Sequence, residues 1–205
     1  PHTTHCPCAS DEEEGHLSPR LSCLRETTPS IYLGSMSSHM AHLVFVLAST
    51  GNNKTLAESV SVRAQELGHA VDILSLNDYE FPLYSTKMEE KTDALPGLDN
   101  LIDRLAKADA WMVFAPEYNG SYPPVLNNAI AWLSRQGDDF RQLFRDRTVA
   151  LATHSGGGGS HVIMAMRMQF SFLGCNVIGR SLMTNNKKPA NPETVTALIN
   201  SMTQK

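Results

Sequence analysis

Residues 111–132 read WMVFAPEYNGSYPPVLNNAIAW, and this stretch decides the fold. It opens with an apolar run, Trp111-Met112-Val113-Phe114-Ala115. A run that short, with no polar alternation, marks a strand buried on both faces, as in a parallel sheet covered by helices. Pro116-Glu117-Tyr118-Asn119-Gly120-Ser121 then breaks it with loop-forming residues. Tyr122-Pro123-Pro124 follows, and proline is tolerated at the head of a helix because the N–H it lacks would have no partner there. From Val125 apolar residues recur at Ala129, Ile130 and Leu133, a helical spacing. The unit is strand, polar loop, helix. In open α/β sheets ligands sit beyond the carboxyl ends of the strands, where such loops lie. This loop suits a flat, partly polar ligand: Tyr118 offers a ring face, while Asn119 and Gly120 allow backbone angles that aim N–H groups outward. An ordinary βα loop with a surface tyrosine has the same composition, and residue chemistry alone leaves the two readings level.

The same unit recurs on either side. Leu43 to Ala48 is an unbroken apolar run, read as the first strand. It leads through Ser49-Thr50-Gly51-Asn52-Asn53-Lys54-Thr55 into a helix reaching about Leu67, with Leu56, Ala57, Val60 and Ala64 on one side. A small polar loop opening a helix binds phosphate well: free N–H groups and the positive helix end favour an anion, hydroxyls add donors, and Lys54 adds charge. A well-capped turn is the competing reading. Neither Gly-x-Gly-x-x-Gly nor Gly-Lys-Ser/Thr is present, so this is neither a dinucleotide fingerprint nor a P-loop. Ala70 to Leu76 alternates in part and reads as a second strand near a sheet edge. Leu98, Leu101, Ile102, Leu105 and Ala108 mark the next helix. Arg135 to Asp146 is linker-like, with Phe140 and Phe144 expected against the body. Thr148 to Thr153 is the fourth strand. His154-Ser155-Gly156-Gly157-Gly158-Gly159-Ser160 follows it, and bare backbone at a strand end lets a planar ligand approach without side-chain clash. A helix from Val162 to Leu173 is rich in methionine and is expected as core or subunit interface. Gly174 to Ile178 reads as a short fifth strand with Cys175 a small buried residue, and Pro192 to Met202 as the closing helix.

Pro116-Glu117-Tyr118-Asn119-Gly120-Ser121, Pro123, Leu126-Asn127-Asn128-Ala129-Ile130 and Trp132 together resemble the signature of the NAD(P)H-dependent FMN reductases, which include quinone, azo-dye and chromate reductases. The resemblance covers roughly residues 42–200. It implies an α/β, flavodoxin-like three-layer sandwich with a five-stranded parallel sheet in the order 2-1-3-4-5. It implies FMN as cofactor and NADPH or NADH as electron donor. It places the cofactor on Ser49, Gly51, Asn52, Asn53, Lys54 and Thr55, on Pro116 to Ser121, and on Ser155, Gly156, Gly157 and Gly158, with Thr55 as the helix-start hydroxyl. Phe81-Pro82-Leu83-Tyr84 resembles a Leu-Pro-Leu-Tyr stretch of these reductases and reads as a packing loop. Two positions depart from the family pattern. Asn127 stands where relatives often have Lys, and Ala48-Ser49-Thr50-Gly51 keeps the Ser of Gly-Ser-x-Arg but lacks its Arg, which leaves the choice between NADH and NADPH open.

The expected activity is transfer of electrons from a nicotinamide through FMN to a small-molecule acceptor such as a quinone, flavin or azo compound. No acid–base residue is expected to be catalytic, since the flavin supplies the chemistry. A hydrolase triad of Ser155, His154 and Asp146 lacks the Gly-x-Ser-x-Gly setting, and Glu117 reads as loop-shaping or as a partner across an interface. The alternative is a flavodoxin-like electron carrier without nicotinamide oxidation; a protein that keeps the fold without flavin is a third reading. A homodimer or homotetramer is implied by the resemblance.

Composition sets the outer limits. The chain has 205 residues, 41% of them hydrophobic, which suggests one domain with a tail. Residues 1–39 hold Asp11-Glu12-Glu13-Glu14 and Glu26 against Arg20 and Arg25, so three of the four net negative charges fall there. That segment lacks strand or helix periodicity and any signal-peptide pattern, and is expected to be disordered or vector-derived, with the native domain starting at Met36 or Met40. His2, His5, Cys6 and Cys8 have no structural zinc spacing. A net charge of −4 implies no nucleic-acid or anionic-membrane partner, and no apolar run is long enough to span a bilayer. The four cysteines form no disulfide framework, which fits a cytoplasmic protein.

Overall fold

The computed structural model describes residues 40–204; the expectations for residues 1–39, including the His2–Cys8 cluster, lie outside the described residues. Five strands alternate with helices: β1 (His42–Leu47), β2 (Ala70–Ser75), β3 (Ala110–Phe114), β4 (Thr148–His154) and β5 (Asn176–Thr184). They form one parallel sheet in the order β2-β1-β3-β4-β5. The chain reverses its direction of travel across the sheet between β1 and β3, which opens a crevice at their carboxyl ends.

Period-two alternation sorts the strand side chains into two layers. Val44, Val46, Trp111, Val113, Val149 and Leu151 meet α3 (Leu98–Ala106), α4 (Pro124–Leu133) and α5 (Ser160–Phe172) on one face. Leu43, Phe45, Leu47, Met112, Phe114, Ala150 and Ala152 meet α1 (Asn52–Glu66) and α6 (Pro192–Thr203) on the other. Every residue of β3 is buried, as its unbroken apolar run requires. β2 is paired on one side only, and its partial alternation follows from that edge position. None of the described helices is long and apolar enough to cross a membrane.

Two details differ from the sequence reading. β5 is nine residues long and continues through Gly179-Arg180 to Thr184. The pairing with β4 shifts register between Val149 and Leu151, and that irregularity accommodates residues whose local pattern does not read as strand. Phe144 is buried against Trp111 with ring centroids 5.9 Å apart, but Phe140 is exposed. Arg141 lies 4.9 Å from the Phe140 centroid and 4.9 Å from that of Phe172, so these rings hold a guanidinium rather than the core.

Side chains of α4 hold the backbone of Phe81-Pro82-Leu83-Tyr84, while Leu83 itself is exposed. Asn128 Oδ1 accepts from Tyr84 N at 2.8 Å, and Asn128 Nδ2 donates to the carbonyls of Phe81 and Pro82. Trp132 Nε1 donates to the Pro82 carbonyl at 2.8 Å. This loop also contains α2 (Thr86–Glu89), started by the Ser85 hydroxyl accepting from Met88 N.

Candidate flavin cleft

The loop after β3 is a tight hairpin of its own. Tyr118 and Ser121 exchange backbone hydrogen bonds of 2.7 and 3.0 Å, and Asn119 and Gly120 between them have φ of 51° and 76°. Both central residues are left-handed, the condition for a primed two-residue turn, and Asn-Gly is the pair that adopts it at least cost. The turn leaves Tyr118 half exposed, at 51%. Pro123 and Pro124 then start α4.

Glu117 closes this loop from behind. Its N–H donates to Ser155 Oγ at 2.7 Å, its carboxylate accepts from Val162 N at 3.3 Å, and Oε1 lies 3.5 Å from His161 Nδ1. The carboxylate thus sits at the positive end of α5. This is the loop-shaping role expected from the sequence, and it joins the loops after β3 and β4. Ser155 is buried, with its Oγ also 2.8 Å from Thr153 Oγ1. No triad exists: the His154 ring meets Thr184 and Asn186, while Asp146 precedes β4 and so lies at the opposite end of that strand.

At the end of β1, Gly51 precedes α1, and Lys54 N and Thr55 N both donate to its carbonyl. By helix geometry the N–H groups of Asn52 and Asn53 come before any intrahelical acceptor. Asn53 is 2% exposed, and both polar atoms of its side-chain amide are engaged: Nδ2 donates to His154 O at 3.0 Å and Oδ1 accepts from His154 N at 2.8 Å. A buried amide between two main-chain groups of β4 pins the first turn of α1 to the neighbouring loop.

These loops enclose a cleft of about 380 Å³. Ser49, Gly51, Asn52 and Asn53 line it from one side, and Pro116 and Tyr118 from another. Of the other residues expected at the site, Asn119, Gly120 and Ser121 form the turn that carries Tyr118, and Glu117 and Ser155 brace it. Lys54 and Thr55 are exposed and not among the lining residues; Lys54 pairs with Glu58 at 3.9 Å. Thr55 is the fourth residue of α1, so the structure does not present it as the helix-start hydroxyl. The sequence showed no sign of the helix opening as early as Asn52, because a polar Asn-Asn-Lys-Thr run can be loop or helix.

Gly156 and Gly157 lie exposed, with open space where a side chain would begin, and the same is true of Gly51. Gly159 has a different task. Its φ is 76°, and a Cβ there would come within 2.4 Å of Thr153 Cγ2. His154 and Asn77 also line the cleft, although the sequence reading left them out. Asn77 arrives on the 3₁₀ turn Leu76–Asp78 after β2, and only the parallel pairing of β2 with β1 brings that turn to the cleft. Cys175 is remote from this chemistry. Burial pushes its thiol up to about 12 despite the nearby Arg147 cation, so it is not a thiolate nucleophile. Among the described residues no group of three or more His, Cys, Asp or Glu is placed to hold a metal.

In size the cleft suits a small-molecule ligand. Its lining suits a flat ring with an anionic tail: hydroxyls and free N–H groups at the head of α1 and an aromatic on a rigid turn; Gly156, Gly157 and Gly158 are not among the lining residues. FMN has that form, and the residues present fit it.

Known proteins agree with this geometry. Residues 41–189 match the family model described as NADPH-dependent FMN reductase. The chain is 31% identical over 103 residues to a quinone reductase of Escherichia coli (strain K12), covering 49% of this chain and 53% of that protein. It is 31% identical over 114 residues to a probable NADPH:quinone oxidoreductase 2 of Oryza sativa subsp. japonica, covering 55% of this chain and 53% of that one. The chain thus matches about half the length of these curated relatives. In structure it resembles FerB, a flavoenzyme NAD(P)H:(acceptor) oxidoreductase from Paracoccus denitrificans, with a TM-score of 0.65 at 18% identity over 80% of this chain and 95% of that one. At that identity the likeness speaks for the flavodoxin-like fold. With a matched region that contains all three cleft loops, this chain belongs to the NADPH-dependent FMN reductase family.

Proposed function

We propose that the protein is an FMN-dependent NAD(P)H oxidoreductase that reduces a small-molecule acceptor such as a quinone, a flavin or an azo compound. The observation that carries this reading is the cleft at the β1/β3 reversal, which combines free N–H groups at the head of α1 with Tyr118 on its Asn-Gly turn. FMN, when bound, would supply the chemistry of hydride and electron transfer. The chain's own residues bind and orient. Ser49 and the N–H groups of Asn52 and Asn53 would hold the phosphate. Tyr118 and Pro116 would flank the ring system, and the exposed backbone of Gly156 and Gly157 would let its far edge approach. Glu117 and Ser155 hold the two loops at a fixed separation.

We further propose that the protein works in the cytoplasm as a homodimer or homotetramer. The assembly reading is supported by α5, where Met164, Met168 and Phe172 recur every four residues at 69%, 73% and 67% exposure, an apolar stripe that the monomer leaves uncovered. Sedimentation of the purified protein tests it, and a monomer at micromolar concentration would reject it.

The activity is tested by adding FMN to purified protein, then NADPH or NADH without oxygen, then a panel of acceptors. Bleaching of the flavin absorbance and acceptor-dependent nicotinamide oxidation are expected. Bound FMN that neither nicotinamide reduces would instead identify an electron carrier. Failure to take up FMN would end the flavin reading.

A further inference from the structure

FMN brings a phosphate into a cleft whose walls carry little positive charge. Among the lining residues His154 has the one basic side chain, and none has a carboxylate. Lys54 is turned along α1 towards Glu58. His154 is also fixed in place: the Asn53 amide clasps its main-chain N–H and C=O, which sets it beside the first turn of α1.

The hydrogen bonds around the ring assign its protons. Thr184 Oγ1 donates to the Thr153 carbonyl at 3.0 Å, so its single proton is used. It lies 3.1 Å from His154 Nδ1 and therefore accepts from that nitrogen. On the far side Nε2 is 3.1 Å from Asn186 Oδ1, an atom that only accepts. Each ring nitrogen therefore faces an oxygen that can accept from it, a setting that matches the doubly protonated ring, which donates from both. Lys187 and Lys188 follow Asn186 in the same tight turn, so that turn adds no negative charge against the ring.

We infer that His154 is the cationic binding residue for the phosphate of the cofactor, acting on it through its charge while β5 and the following turn hold the ring. This rests on the reading of the cleft as an FMN site. With both N–H groups occupied, the ring contributes an electrostatic field rather than a direct hydrogen bond. The field counts most where the phosphate is screened from solvent. Because the ring is held by Thr184 and Asn186, its charge stays at a fixed distance from the head of α1, and no entropy is lost in bringing it there on binding.

The experiment compares FMN with riboflavin, which lacks the phosphate, by fluorescence titration at low and high salt. Wild-type protein is expected to bind FMN more tightly than riboflavin, with only the FMN affinity falling as salt rises. His154→Gln is expected to weaken FMN roughly tenfold, to leave riboflavin unchanged and to flatten the salt dependence. His154→Lys restores most of the FMN affinity. Asn186→Asp, at an exposed position, sets a carboxylate against the ring and lowers FMN affinity alone, with the melting temperature checked beside it. Equal loss of both flavins in His154→Gln, or unchanged FMN affinity in Asn186→Asp, overturns the inference and leaves the FMN site standing. Wild-type protein that binds neither flavin overturns the reading of the cleft itself, and this inference with it.

Discussion

The segments at the carboxyl ends of β1 and β4 are both small and polar, with serine and glycine in each, yet they use their polar groups in opposite ways. After β1 the Ser49 and Thr50 hydroxyls have no protein partner among the described residues and face the cleft. After β4 the polar side chains are committed to scaffold: Ser155 to Glu117 N and Thr153, His154 to Thr184 and Asn186. The glycines divide in the same way. Gly156 and Gly157 are open, whereas Gly159 is required by its close approach to Thr153. A polar residue at a strand end becomes ligand donor or internal brace according to whether a neighbouring backbone group needs it. Burying such a group unpaired costs more than a single surface hydrogen bond returns.

The contrast can be broken most severely at Gly159. Gly159→Ala forces a left-handed alanine against Thr153 Cγ2, and unfolding in denaturant should register a loss of about 2–5 kcal/mol. A loss under about 1 kcal/mol would mean that the loop relaxes freely. Asn53→Ala should come next, at about 2–4 kcal/mol, since it strands the buried N–H and C=O of His154. Ser155→Ala removes the acceptor of Glu117 N and should cost about 1–3 kcal/mol by the same measurement.

The open half of the comparison is sharpened by binding rather than stability. Gly156→Val has room in the unliganded chain, so its melting temperature should stay within a few degrees of wild type while FMN affinity falls. An unchanged affinity would show that the backbone there meets no ring. Tyr118→Ala removes a half-exposed side chain and should weaken flavin retention with stability altered by only about 0.5 kcal/mol. Thr55→Val should have the smallest effect, with FMN affinity unchanged, because Thr55 lies exposed on α1 outside the cleft lining. A clear loss of affinity would return that hydroxyl to the phosphate site.

Much of this molecule was legible in its residues. Trp111 to Ala115 and Leu43 to Ala48 announced fully buried strands because a parallel sheet covered on both faces leaves no position for polar alternation. Asn119-Gly120 announced a turn because few other pairs tolerate left-handed angles at both residues. The second half of β5 was not legible, since Gly179-Arg180-Ser181 carries no strand signal and is strand only through the irregular pairing with β4. Phe140, expected against the body, is exposed, because an aromatic in a charged linker packs as readily on an arginine as on a hydrophobic face.

The sequence by itself determined the fold class, the order of the strands and the three loops that meet at their carboxyl ends. Periodicity and turn chemistry mark each strand and loop locally, while the fold class and strand order follow from the resemblance carried by the long motif after β3. The tertiary structure alone decided which polar groups remain for a ligand. Asn53 is claimed by a backbone that lies 101 positions away in the chain, and His154 by a turn 32 positions beyond it. Such partners meet only after the sheet has formed, because hydrogen bonding depends on distance in space and not on distance along the chain.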